Sequence, residues 1–198
     1  MWERLNKLIK PNGAIVLFGS EPFSSYLRMS NISNYKYDWV WNKKKQGNPL
    51  TAKIQPLKIH ELIHVFSSGG KALYYPEMTK GQMRKKGNKG IKSDTFGTLT
   101  NGSITTNDLY YPKSIIEVSN ANRKGKVHPT QKPVKLLEYL IRTYTIEGET
   151  VLDFTMGSGT TGYAAKRLRR KFYGIELDPI YFAGAKKRIN SDIQEDLF

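Results

Sequence analysis

Residues 151–179 read VLDFTMGSGTTGYAAKRLRRKFYGIELDP, and their reading decides the fold. A short apolar strand ends in Asp153, the turn Gly157-Ser158-Gly159 follows, and Ala164, Ala165 and Leu168 then recur at helical spacing. A second strand, Phe172 to Leu177, carries Glu176. Glycines let a ligand approach the backbone closely, and a helix N-terminus presents free N–H groups. Glu176 can accept hydrogen bonds from a ribose diol, so the unit implies an adenosine-type cofactor.

Gly157 to Gly162 satisfies G-x-G-x-x-G, and Glu176 lies at about the spacing of a dinucleotide fold. Against a nicotinamide enzyme stand the residues between strand and first glycine, Asp153 to Met156, the basic composition, and the lack of a following substrate domain. No Lys follows the glycines where a phosphate loop requires it, and Met156 takes the first glycine position of a G-x-S-x-G nucleophile turn. An Asp at the strand tip suits an amine better than a pyrophosphate. That points to S-adenosylmethionine, which has an amino group and a ribose but no phosphate.

The 198 residues suit one domain with a sizeable core, or one domain with a large insertion. Lys plus Arg number 32 against 17 for Asp plus Glu, a net charge of +15, which implies a polyanionic partner such as nucleic acid. Cysteine is absent, which excludes disulfides and thiolate metal sites. No apolar run is long enough to span a membrane and no targeting segment is evident, so the expected location is the cytoplasm.

Before the organising stretch, Met1 to Ile9 predicts a helix with Trp2, Leu5, Leu8 and Ile9 on one face, ended by Lys10-Pro11-Asn12-Gly13. Ala14 to Phe18 predicts a buried strand of parallel type, and Pro22 opens a second helix through Phe23 and Leu27. Tyr35 to Trp41 predicts a strand with Tyr35, Tyr37 and Trp39 on one face, followed by Lys43-Lys44-Lys45. His60-Glu61-Leu62-Ile63-His64 matches the zinc pattern H-E-x-x-H, which works only on a helix. The run into Val65-Phe66 and Ser67-Ser68-Gly69-Gly70 predicts a strand instead, with the two His about 13 Å apart, so no metal is expected.

From Lys71 to Lys126 the chain is rich in Gly, Asn, Thr, Ser, Lys and Tyr with little periodicity. A surface loop is one reading. The charge favours a nucleic-acid-binding insertion, with basic groups for phosphates and Asn, Thr and Arg for base edges. Pro133 then begins a helix with apolar Val134, Leu137, Ile141 and Tyr144, and the last helix begins at Pro179 with Phe182, Ile189 and Ile193 inward.

The blocks HPTQKPVKLLEYLI, VLDFTMGSGTTG and FYGIELDPIYF resemble the cofactor half of the DNA amino-methyltransferases of restriction-modification and phage systems. MWERLNKLIKPNGAIVLFGSEPF, YKYDWVWNKKKQGNP and KIHELIHVFSS resemble the catalytic half, placed upstream as in the beta-type motif order. The resemblance implies an α/β, Rossmann-like S-adenosylmethionine-dependent fold, divided into 1–70 as a partial catalytic half, 71–126 as target recognition, and 127–198 as the cofactor half. It places Gly157, Ser158, Gly159 and Thr160 in the cofactor loop with Asp153 beneath, and Glu176 on the ribose. Thr130 and Lys132 fall near the methionine end, and Trp41 beside a flipped base. Phe154 stands where the commoner family form Asp-Pro-Phe has Pro, and substitutes for its aromatic wall. Lys43, Lys44, Lys45, Arg84, Lys85, Lys86, Arg123 and Lys124 are the expected DNA contacts.

The family's catalytic block, Asp, Asn or Ser followed by Pro-Pro-Tyr or Pro-Pro-Phe, occurs nowhere in the chain. The family places its strand between the Val151 and Ala14 strands, so a gap in the sheet is expected, with unpaired backbone groups. No catalytic residue is therefore assigned, and the expectation is an N-terminally truncated enzyme, inactive alone, acting on adenine rather than cytosine. A missing N-terminal segment or complementary chain is its expected partner beside DNA. Half of a split enzyme, or a non-catalytic DNA-binding or cofactor-binding remnant, is the alternative, and a nicotinamide-dependent oxidoreductase a distant one.

Overall fold

The helical spacing after Pro133 is realised, and the helix it forms gathers the core. In chain order the main elements are α1 (Trp2–Leu8), β1 (Ile15–Gly19), α2 (Phe23–Met29), β2 (Tyr35–Asn42), β3 (His60–Phe66), β4 (Thr79–Gly87), β5 (Ile91–Ser93), β6 (Gly97–Leu99), β7 (Ile104–Tyr110), β8 (Ile115–Glu117), α3 (Val134–Tyr144), β9 (Thr150–Asp153), α4 (Thr160–Arg167), β10 (Lys171–Gly174) and α5 (Pro179–Asn190). The structure, a computed structural model, describes residues 1–87, 91–93, 97–99, 104–120 and 130–191, with backbone only at 86, 87, 91–93, 97–99, 104 and 105.

Helix α3 buries Leu136, Leu137, Leu140, Ile141 and Tyr144 against Trp39, Trp41, Ile63, Val65 and Ile116. These partners belong to a sheet ordered β1-β3-β2-β8, antiparallel except for the β2–β8 pair. Its other face packs Ile15, Leu27 and Phe66 with Trp2, Leu5 and Ile9 from the α1 segment. Alternation along β1 divides the layers, since Val16 and Phe18 join the first cluster while Ile15 and Leu17 join the second. Strands β9 and β10 form a separate parallel pair, and Ala164 and Ala165 of α4 complete the core against α3.

Four expectations need correction. Strand β10 ends at Gly174 rather than at Leu177, so Glu176 lies past the strand and not on it. Tyr35 does not share a face with Tyr37 and Trp39, because the β2–β3 register shifts between Tyr35 and Tyr37 and turns Tyr35 into the opposite cluster. Strand β1 is not a buried parallel strand. It is an edge strand with one antiparallel partner among the described residues, and only Ile15 in it is buried. Helix α5 turns Ala185 inward rather than Phe182, which is 43% exposed, and Ile193 lies outside the described residues.

Residues Pro76–Pro112 form their own compact unit, narrower than the expected insertion. It is more regular than its composition suggests: β4 pairs antiparallel with β7, and β5 with β6. No helix among the described residues is long and apolar enough to cross a membrane.

His60 and His64 lie on strand β3, as the turn after Phe66 predicts. His64 is fully buried, its Nε2 2.8 Å from Ser24 Oγ on α2, and its Nδ1 has no hydrogen-bond partner. Burial, reinforced by the Arg28 charge, pushes its pKa below 6.5 against the opposing pull of Asp38 and Glu21. The folded state therefore prefers neutral imidazole, while the unfolded chain protonates near the usual value. Stability is full above that value and is lost as pH falls through it toward the lower folded pKa. Urea midpoints are expected to drop between about pH 7.5 and about pH 5.5, and His64→Gln to flatten that drop. An equal drop in both proteins would remove His64 as the cause.

Candidate functional site

Strand β9 ends at Asp153, whose carboxylate organises the turn that follows. Its Oδ1 accepts from Thr155 N at 3.1 Å and its Oδ2 from Thr161 Oγ1 at 2.6 Å, joining the strand tip to the first turn of α4. Glu176 closes the loop from the other side. One carboxylate oxygen accepts from Gly157 N at 2.8 Å, and the other from Leu177 N and Asp178 N at 2.9 and 3.1 Å. Arg188 of α5 completes the frame, donating to Thr160 Oγ1 at 2.9 Å and Ser158 O at 3.3 Å. Burial lowers the Arg188 pKa while the nearby Tyr163 opposes this.

This loop borders a cavity of about 1020 Å³. Asp153, Phe154, Gly157, Ser158 and Thr160 form part of its wall, and Thr130, Gln131 and Lys132 another part. Lys132 Nζ sits 3.2 Å from Glu61 Oε2 and 5.1 Å from the Phe18 ring centre. Glu61 Oε1 in turn lies 3.2 Å from Lys43 Nζ, so one carboxylate ties the end of β2 and the segment before α3 to strand β3. The walls thus combine apolar surface with the carboxylate of Asp153, the ammonium of Lys132 and the Lys10–Glu149 ion pair, a donor set that fits a zwitterionic ligand without phosphate. No Lys or Arg lies in the loop Thr155 to Gly159 to meet a pyrophosphate.

The cavity's remaining walls are strand edges. Consecutive residues Ala14 to Phe18 of the β1 segment line it, and so do Thr150 to Asp153 of β9. Side chains in a strand alternate between faces, so consecutive lining residues mean that the backbone edge itself borders the space. Both strands are edges of their sheets among the described residues. Phe23 and Tyr26, 57% and 75% exposed, also line it, leaving an apolar rim.

Several predicted residues fall elsewhere. Trp41 is 0% exposed and its indole donates to Val118 O at 2.9 Å, so it offers no face to a base. The aromatic ring on the cavity wall from this layer is Phe18. Glu176 and Gly159 do not line the cavity. The first clamps the loop backbone, and a Cβ on the second would meet Ala185 Cβ at 2.9 Å. Lys43 and Lys44 are paired with Glu61 and Glu117, at 3.2 and 2.6 Å, and Lys45 is half-buried. Arg84 and Lys85 lie exposed on β4, whereas the Lys86 side chain, Arg123 and Lys124 lie outside the described residues. No cluster of potential metal ligands occurs among the described residues. Glu61 and Arg188 escape sequence reasoning, because their partners come from distant segments.

The DNA methylase family model N6_N4_Mtase matches residues 1–187. Type II methyltransferase M2.LlaDCHI of Lactococcus lactis subsp. cremoris is 30% identical over 194 residues, covering 96% of this chain and 65% of the relative. Type II methyltransferase M2.DpnII of Streptococcus pneumoniae is 30% identical over 196 residues, covering 96% and 66%. The chain therefore spans slightly less than two thirds of these curated relatives. Among solved structures, the M1.HpyAVI–SAM complex superposes with a TM-score of 0.66 at 29% identity, over 95% of this chain and 79% of that one. The cytosine-N4-specific PvuII DNA methyltransferase shares the fold, with a TM-score of 0.66 at 21% identity over 96% and 68%.

Proposed function

We propose, from the premise that this chain belongs to the N6_N4_Mtase family of DNA methylases, that its cavity holds S-adenosylmethionine for methyl transfer to an exocyclic amine of DNA. The observation that carries the reading is the cavity bordered jointly by the Asp153 loop and by Thr130 to Lys132. S-adenosylmethionine, when bound, supplies an electrophilic sulfonium methyl. Gly157 and Ser158 present backbone to the ligand, Phe154 supplies an aromatic wall, and Lys132 offers its ammonium to a carboxylate. Asp153, engaged by Thr155 and Thr161, holds the loop in place. The target is adenine, with cytosine as the alternative that nucleoside analysis of the methylated product separates.

The remaining part of the reading concerns the residues that would hold the base. The edges of β1 and β9 border one cavity with an apolar rim, which supports insertion of a further strand between them. That strand carries the Pro-Pro-Tyr or Pro-Pro-Phe block, and methyl transfer requires it, whether it comes from a preceding segment or a complementary chain.

Equilibrium titration tests the ligand. S-adenosylmethionine is expected to bind and NAD not, and Lys132→Ala to weaken binding by about 10-fold or more, as loss of a charge-assisted contact does. Binding of NAD in place of S-adenosylmethionine would sink the assignment. Duplex DNA affinity is expected to fall steeply between about 50 and about 200 mM salt.

A further inference from the structure

We propose that Arg84, its guanidinium held over the Tyr110 ring in the ribbon of β4 and β7, reads a guanine in the major groove of duplex DNA, an inference that rests on DNA being the substrate. The Arg84 guanidinium carbon stands 3.5 Å from the centre of the Tyr110 ring. Tyr110 is itself fixed, since its hydroxyl donates to Gln82 O at 2.9 Å. Its ring also lies over Gly81, where a Cβ would meet Cε2 at 2.7 Å, so a side chain there would displace the ring. The pairing register shifts between Lys80 and Arg84, and this irregularity sets Gly81, Gln82 and Arg84 around one tyrosine.

A guanidinium held over a ring keeps its edge for other partners. Its N–H donors stay in plane, in a fixed fork that matches the adjacent O6 and N7 acceptors of guanine. Arg84 is exposed, and no carboxylate among the described residues pairs with it. Lys43, Lys44 and Lys132 all have carboxylate partners, and Lys80 lies 3.8 Å from Asp108. A two-stranded ribbon is one of the two elements the major groove admits. A mobile surface arginine would serve a phosphate as well, but it would not need the tyrosine platform that Gly81 makes room for.

The test selects bound duplexes from a random-sequence library with the full chain, wild type and Arg84→Lys. The wild type is expected to require guanine at one position, and 7-deazaguanine there, which lacks N7, to weaken binding. Arg84→Lys keeps the charge and loses the fork. It is expected to lose roughly 10- to 100-fold on the preferred sequence, to become indifferent to 7-deazaguanine, and to keep the wild-type salt slope. Tyr110→Leu is expected to shift preference the same way. A guanine preference unchanged in Arg84→Lys overturns the proposal, as does a loss equal across all sequences, which would make Arg84 a phosphate contact. Wild-type binding without any guanine requirement overturns it while leaving the methyltransferase reading intact. Absence of salt-dependent duplex binding overturns both.

Discussion

Methyl transfer from S-adenosylmethionine to duplex DNA is expected to stay at background with residues 1–198 as the sole polypeptide. It is expected to rise by roughly 10³-fold or more when a strand bearing Asp-Pro-Pro-Tyr is supplied, fused or in trans. An aromatic exocyclic amine delocalises its lone pair into the ring and is a poor nucleophile. Attack on a sulfonium methyl therefore depends on an acceptor that holds the amine hydrogens and a ring that fixes the base. The two carboxylates that line the described cavity are already engaged: Asp153 by Thr155 N and Thr161 Oγ1, and Glu149 by Lys10. Trp41 is sealed in the core. Docking of the strand should also cover the edges of β1 and β9 and raise the urea midpoint in proportion to its concentration. A strand with alanine at the head of the block should dock equally well and leave transfer at background. Tritiated-methyl incorporation is the measurement, and family-typical rates from residues 1–198 alone would refute the prediction.

What the sequence made legible was local. Asp153, the glycine turn and the spacing of Ala164 and Ala165 specify strand, loop and helix through contacts a few residues apart, and Pro179 opens α5 as its fixed φ suggests. The H-E-x-x-H run resolved correctly as a strand because the glycines after Phe66 leave no room for a helix. Failures came where distant segments decide. An aromatic alternation cannot reveal the shift beside Tyr35, and Trp41 is buried because α3 and β8 close over it. Lys43 and Lys44 look like DNA contacts until Glu61 and Glu117 are brought to them by pairing across the sheet. The β4–β7 ribbon escaped notice because polar Lys-Gly-Gln-Met-Arg has no apolar alternation, and its partner strand lies beyond a long connection. That the edges of β1 and β9 border one cavity is nowhere written in either strand's composition, which does not announce an unpaired edge.

Gly159→Ala is expected to cost about 2–5 kcal/mol of stability and to abolish cofactor binding at ordinary concentrations, although Gly159 touches no part of the cavity. Its φ of +69° is a conformation that side chains resist, and the added Cβ would stand 2.9 Å from Ala185 Cβ and 3.1 Å from Ala185 Cα. Neither neighbour is the far end of a flexible chain, so relief requires moving α5. That movement would withdraw Arg188 from Ser158 and Thr160 and release the frame of the loop. The two causes can be separated by a double-mutant cycle with Ala185→Gly. Removing the Ala185 methyl should recover about 1–2 kcal/mol in the Gly159→Ala background, leaving the backbone strain and the closer approach to Cα. If the cost is unchanged in that background, the Ala185 methyl contact is not its source. If binding survives at full affinity in Gly159→Ala while stability falls, the link from α5 through Arg188 to the loop is wrong. The measurements are urea midpoints and S-adenosylmethionine titration on the same four proteins, so that loss of fold and loss of the loop are read separately.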